Sequence, residues 1–260
     1  MRSEVAPALS VQGLSCRFGG VQAVCDVSLV VPSGDRRAFI GPNGAGKTTL
    51  FNLISGEISP TAGRVEVFGR DITLMPVRKR IKLGLTRTYQ TSRLFPSLSV
   101  AENLYLAVLG MEGGYLRPFP LPLRWDQQLW ARGRAIAERV GLGGRLDVTA
   151  RSLSHGEQRQ LEVGVALAGQ PRVLMLDEPA AGLSPGERDL LSDLLLSLDP
   201  AITVLLVEHD MDIALRIAGS VTVMHEGRIL AEGSPAEIRG NQGVHDLYLG
   251  RAGAAPSGPV

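Results

Sequence analysis

The segment Gly41-Pro42-Asn43-Gly44-Ala45-Gly46-Lys47-Thr48 constrains this chain more than any other, because glycine, four residues, glycine, lysine and a hydroxyl residue spell a phosphate-cradling loop. It follows the apolar run Ala38-Phe39-Ile40 and opens Thr48 to Ser55, which reads as a helix ending at Gly56. The pattern carries meaning only in that setting, between a strand and a helix. Successive backbone N–H groups in such a loop converge on phosphate oxygens, and a side chain in place of a glycine would block the approach or forbid the dihedrals. The following helix directs its positive end at the same anion. On this reading the loop runs from Gly41 to Thr49, Lys47 reaches the β- and γ-phosphates of a nucleotide, and the Thr48 hydroxyl coordinates magnesium. The plainer alternative is a glycine turn that caps a helix, with Lys47 in solvent.

Two apolar runs end abruptly in charge. Val173 to Leu176 stops at Asp177-Glu178-Pro179, at the strand edge where open α/β sheets place their ligands. Asp177 is expected to hold the metal, directly or through water, and Glu178 to orient or deprotonate the attacking water. Val204 to Val207 stops at Glu208-His209-Asp210, and His209 is placed to contact the γ-phosphate and hold that water in line. Either run, taken alone, also reads as a strand entering a solvated turn.

The remaining pattern frames the fold. Val27, Leu29 and Val31 alternate before the turn Pro32-Ser33-Gly34, and a further strand pair is expected around Gly63 to Phe68, with its turn at Gly69. Val100 to Leu109, Leu129 to Val140 and Glu157 to Ala168 carry apolar residues at helical spacing, so about 91–170 reads as a helical lobe inserted between strands. Gly110 to Asp126, with Pro118, Pro120 and Pro122, interrupts it. Strand and helix alternate again after Pro171, through Leu190 to Leu198, Thr203 to Val207, Ile213 to Ala218 and Val221 to Met224, which favours a largely parallel sheet covered by helices. The expectation is one α/β domain over 1–250 and a disordered tail over 251–260.

Composition excludes some roles. A formal net charge of +1 over 260 residues offers no broad attraction to nucleic acid or anionic lipid. The apolar runs fall far short of the ~20 residues that span a bilayer, so a membrane role would pass through a partner. Cys16 and Cys25 are too few for a disulfide scaffold and point to a reducing compartment. The first residues lack the basic start and apolar run of a secretory signal, and the chain is expected in the cytoplasm.

Taken together, Gly41 to Thr49, Gln90, Leu153-Ser154-His155-Gly156-Glu157-Gln158, Asp177-Glu178 and His209 resemble the ATP-binding cassette ATPases in full motif order, from Leu9 to Gly250. The resemblance implies a P-loop NTPase core with an N-terminal antiparallel β portion and an inserted α-helical subdomain. It also implies that ATP and magnesium bind and that ATP is hydrolysed. Phe18 would stack on adenine, Gln90 would join the magnesium shell and sense the γ-phosphate, and His209 would be the switch histidine. Ser154, Gly156 and Glu157 would reach a γ-phosphate bound by another subunit, in a head-to-tail dimer with two ATP molecules at the seam. In isolation Ser154 to Glu157 reads as a helix cap completed by Glu157. This chain departs from the commonest pattern at His155 and Glu157, and Ser184 replaces the usual acidic end of the dimer-contact loop.

Within the family, Thr88 to Phe95, Glu178 to Ser184, Glu208 to Met211 and Tyr248-Leu249-Gly250 look like the ATP-binding subunits of branched-chain amino acid importers, with importers for urea or short amides looking similar. That likeness implies a homodimer or heterodimer, two membrane permease subunits, an extracytoplasmic solute-binding protein and a place at the cytoplasmic face of the membrane. Tyr115, Phe119 and Trp125 lie in the lobe that would face the permeases, where packing within the lobe and coupling to the partner are both open. The rival classes are a cassette ATPase acting on nucleic acid or ribosomes, and a nucleotide-binding module without turnover.

Overall fold

The computed structural model describes residues 6–88, 94–112 and 126–249. Strands β1 (Leu9–Phe18), β2 (Val21–Val31) and β3 (Arg36–Ile40) lead into helix α1 (Lys47–Ser55), then β4 (Ala62–Val67), β5 (Arg70–Asp71) and α2 (Val77–Lys82). β6 (Leu85–Arg87), α3 (Val100–Met111), α4 (Gln127–Arg139), α5 (His155–Leu167) and β7 (Val173–Asp177) follow. The chain continues through α6 (Pro185–Ser197), β8 (Thr203–Val207), α7 (Met211–Ile217), β9 (Ser220–His225), β10 (Arg228–Gly233), α8 (Pro235–Arg239) and α9 (Gln242–Leu249). It divides into two compact units, Met1–Met75 with Thr203–Val260, and Pro76–Ile202.

The first unit holds two kinds of sheet. β1 pairs antiparallel with both β2 and β4, and β4 pairs with β5, giving the order β2-β1-β4-β5. β3 runs parallel to β8 on one side, with Ala38 opposite Leu206, and parallel to β9 on the other, with Ala38 opposite Val221. Every residue of β8 is buried, which is why Val204 to Val207 is a continuous apolar run and not an alternating one. β10 closes onto β9 antiparallel through a two-residue turn at Glu226-Gly227, where His225 faces Arg228. Below β3, the Phe39 and Phe51 rings meet edge to face at 5.5 Å, so the helix after the loop is fixed to the strand before it. Ala214 and Leu215 of α7 pack with Ile40, Val221 and Val223 in a second apolar cluster.

The second unit is mainly helical. β6 and β7 pair in parallel, Leu85 opposite Val173 and Arg87 opposite Met175. α3, α4 and α5 pack through buried Leu104, Val108, Ile136, Ala137 and Leu161, with the Tyr105 and Trp130 rings stacked at 4.8 Å. Helix starts follow their caps. Ser99 and Glu102 cap α3 reciprocally, Ser154 and Glu157 do the same for α5, and the Asp126 carboxylate accepts from Gln128 N–H and Leu129 N–H at the start of α4. These caps explain two departures from the apolar periodicity. α5 begins at His155 and not Glu157, and α6 begins at Pro185 and not Leu190, because Ser184-Pro185 starts the helix before its apolar stripe does. α3 continues through Gly110 to Met111, two residues into the expected interruption. Residues 113–125 of that stretch, with Tyr115, Phe119 and Trp125, and the expected tail over 251–260 lie outside the described residues.

The architecture is the expected mixture of parallel and antiparallel strands with helices. Among the described residues no helix is long and apolar enough to cross a membrane. Both cysteines are free, Cys16 buried and Cys25 half-buried.

Candidate functional site

Gly41 leaves β3 with φ 149°, and a Cβ there would stand 2.2 Å from the carbonyl oxygen of Met224. The strand end and the loop therefore approach the β9 backbone at a distance only glycine allows. Gly44 differs, because with φ 80° it needs left-handed freedom while a Cβ on it would meet nothing within 4 Å. Gly44 and Asn43 form the exposed crest of the loop. The turn is closed by Ala45 N–H donating to Pro42 O at 3.1 Å, and Gly227 N–H donates to Ala45 O at 3.0 Å, so the β9–β10 turn braces the loop from behind.

Lys47 is buried at 6% exposure, and its ammonium donates to Gly41 O at 2.7 Å and Pro42 O at 3.1 Å. Those carbonyls hold Nζ over the loop instead of letting it extend into solvent. α1 follows Gly46 as its N-cap, with no side-chain cap and no acidic residue in its first turn. An anion at that end would meet amides and a positive dipole without an internal competitor. Thr48 and Thr49, half-buried, begin the same helix. In this unit too, Phe18 ends β1 at 52% exposure with Val21 exposed beside it across the turn, an apolar edge open to a planar ring. His209 stands after the buried β8, its side chain 55% exposed and its Nδ1 3.9 Å from Oε2 of the wholly buried Glu208.

The second unit carries the acidic pair and the helix start at Ser154. β7 is buried throughout and ends on Asp177, itself 2% exposed. Its Oδ2 accepts from Arg87 Nη2 at 2.7 Å across the β6–β7 pair, and its Oδ1 meets no hydrogen-bond donor among the described residues. A buried carboxylate oxygen left this way is costly unless a cation or a donor completes it. Glu178 follows with φ 48°, a left-handed conformation rare outside glycine, which turns the chain sharply at the strand end. Backbone strain of that kind gathers at functional positions. Gln90 lies outside the described residues.

At α5, the Ser154 hydroxyl accepts from Glu157 N–H at 3.2 Å, while Glu157 Oε2 accepts from Ser154 N–H at 2.8 Å and its Oε1 pairs with Arg145 at 3.0 Å. The carboxylate of Glu157 is thus engaged within its own turn and with Arg145. Gly156 N–H and the Ser154 hydroxyl both donate to Glu187 Oε1, at 2.9 and 3.3 Å. His155, one of the departures from the usual pattern, lays its Nδ1 3.3 Å from Gly182 O in the loop before α6.

Sequence reading missed Arg87 and Glu187. Neither sits in a string that marks a nucleotide site, and each acts on a residue far along the chain, Arg87 on Asp177 and Glu187 on Ser154 and Gly156. The capping pattern Ser184-Pro185-Gly186-Glu187 was the one available signal for the second.

Residues 24–181 match the ABC transporter family, and residues 228–254 match a family described as branched-chain amino acid ATP-binding cassette transporter. The chain is 40% identical over 253 residues to the high-affinity branched-chain amino acid transport ATP-binding protein LivG of Salmonella typhimurium (strain LT2), covering 95% of this chain and 99% of that protein. It is 39% identical, with the same coverage, to the corresponding protein BraF of Pseudomonas aeruginosa (strain PAO1). The solved ADP conformation of MJ1267, an ATP-binding cassette of an ABC transporter, aligns with a TM-score of 0.84 and 30% identity, over 94% of this chain and 99% of that one. A family match over more than half of the chain and relatives at this identity along nearly all of it establish that the chain, with its glycine-rich loop between β3 and α1, belongs to the ABC transporter family.

Proposed function

We propose that the chain is the ATP-binding and ATP-hydrolysing subunit of an importer for branched-chain amino acids. The observation that carries the substrate class is the 40% identity to LivG over 95% of the chain, joined by the C-terminal match at 228–254. The observation that carries the chemistry is a buried ammonium at Lys47 above a loop whose crest is exposed.

The residues divide the work as follows. Backbone N–H groups from Gly41 to Thr49, those of Asn43, Gly44, Ala45 and Gly46 among them, cradle the phosphates, while Pro42, which has no N–H, shapes the loop; Lys47 neutralises the β- and γ-oxygens, and Phe18 stacks on the adenine. Glu178 takes a proton from the attacking water and His209 holds that water in line. Thr48, Asp177 and Gln90 would hold magnesium, and the open Oδ1 of Asp177 is the observation that suits a cation. When bound, magnesium would neutralise charge on the transferring phosphoryl oxygens.

Ser154, Gly156 and Glu157 meet the γ-phosphate of a second subunit, so the working form is a head-to-tail dimer, of two copies or with a second cassette. Two membrane permeases carry the solute and an extracytoplasmic binding protein delivers it. The chain works at the cytoplasmic face of the membrane, bound to the permeases, and nucleic acid plays no part.

Vesicles containing the permeases, the binding protein and this chain should take up leucine with ATP. Glu178→Gln should reduce phosphate release and uptake together by about 10²–10⁴-fold, the range for loss of a general base. Equal rates in wild type and Glu178→Gln would remove Glu178 from its role, and uptake of urea or a short amide in place of leucine would overturn the substrate class.

A further inference from the structure

The start of α5 already holds an anion, the carboxylate of Glu187 from the first turn of α6. Oε1 accepts from Gly156 N–H at 2.9 Å and from the Ser154 hydroxyl at 3.3 Å. Oε2 accepts from Ser184 N–H at 3.0 Å and from its hydroxyl at 2.8 Å. The approach is tight, since a Cβ on Gly156 would stand 2.7 Å from Glu187 Cγ. Hydrogen bonds from Ser184, and then from Gly156 and Ser154, hold the carboxyl at about 2, so it is charged wherever the protein works.

Gly156 N–H and the Ser154 hydroxyl are the donors through which this segment would meet the second subunit's γ-phosphate. One amide proton cannot serve a carboxylate and a phosphoryl oxygen together, and the two anions repel at hydrogen-bond range. We propose that Glu187 is a positioning residue that stands in for the phosphate. In the separate chain it keeps Ser154 and Gly156 ordered, and it must leave Oε1's donors before two chains close on ATP. Oε2 keeps its bonds to Ser184 during that movement, so release at one oxygen leaves the start of α6 intact. The inference rests on the proposed role of Ser154 and Gly156 across the dimer.

The test uses the full chain in a Glu178→Gln background, with dimer formation followed by sedimentation as ATP with magnesium is raised and folding followed separately by thermal melting. Adding Glu187→Gln, which removes the charge and keeps the size, should lower the ATP concentration at half-dimerisation about tenfold, the loss of one charge-assisted competitor. Glu187→Asp, one methylene shorter but still a capping anion, should lower it as well, which covers the case in which the glutamine variant folds poorly. A midpoint unmoved or raised in the folded variants, while Ser154→Ala weakens dimer formation and shifts it to higher ATP, would overturn the stand-in and leave the trans role of Ser154 standing. A dimer that forms equally well with Ser154→Ala would remove both.

Discussion

A Cβ on Gly41 would lie 2.2 Å from the Met224 carbonyl, whereas one on Gly44 would meet no atom within 4 Å. Alanine at the first position must displace backbone and adopt φ 149°, so Gly41→Ala should destabilise the fold by about 3 kcal/mol or more. Alanine at the second position faces only the left-handed penalty, about 1–2 kcal/mol, and the protein should fold. Its methyl would then stand on the exposed crest, where a phosphate must come close, and ATP affinity should fall at least tenfold. Thermal melting and titration calorimetry of the two variants separate the effects. Equal loss of stability in both, or unchanged ATP affinity in a folded Gly44→Ala, would contradict the division between a glycine required by packing and one required by the ligand.

At the level of elements, two glycines inside helices predict opposite signs. A Cβ on Gly133 in α4 would lie 3.5 Å from Tyr105 N and 3.6 Å from Leu104, ordinary contact, so Gly133→Ala should stabilise by about 0.5–1 kcal/mol through helix propensity alone. Gly164 in α5 faces Leu104 Cδ2 at 3.1 Å and the methyls of Ile136 and Val140 at 3.4 Å, so Gly164→Leu should overpack α3 and α4 and destabilise by about 1–3 kcal/mol. Denaturant unfolding of both variants checks the pair, and a stabilised Gly164→Leu would mean that the three helices are looser than their side chains suggest. The same elements show what was legible from sequence. The runs that became β7 and β8 and the apolar periods of α3, α4 and α5 were plain because burial imposes their pattern. α2, β6 and α8, with six, three and five residues, are too short to show a period, and β10 alternates only between exposed and half-buried residues. At the site, local strings revealed the loop and both strand ends, while Arg87 and Glu187 stayed hidden because their meaning lies in partners 90 and 31 residues away.

For the whole molecule, the proposed assembly divides one reaction between two chains, the phosphate loop and Lys47 of one and Ser154 and Gly156 of the other. A chain with Lys47→Ala cannot hold its own nucleotide firmly but still offers Ser154, and a chain with Ser154→Ala has the complementary defect. Each variant alone builds dimers in which every site lacks one component. Mixed in equal amounts, half of the dimers contain one chain of each kind, and each of those has one complete site and one doubly broken site. About a quarter of the wild-type number of sites should therefore be restored. Phosphate release from the mixture should rise above the sum of the separate variants and should grow with total protein concentration, because the complete site exists only in the associated form. If Ser154 served the nucleotide of its own chain, every site in every dimer would lack one group or the other, and mixing would restore nothing. Activity in the mixture that never exceeds the sum, with both variants folded and able to associate, would thus place Ser154 on the wrong side of the seam and dissolve the reason for pairing two chains at all.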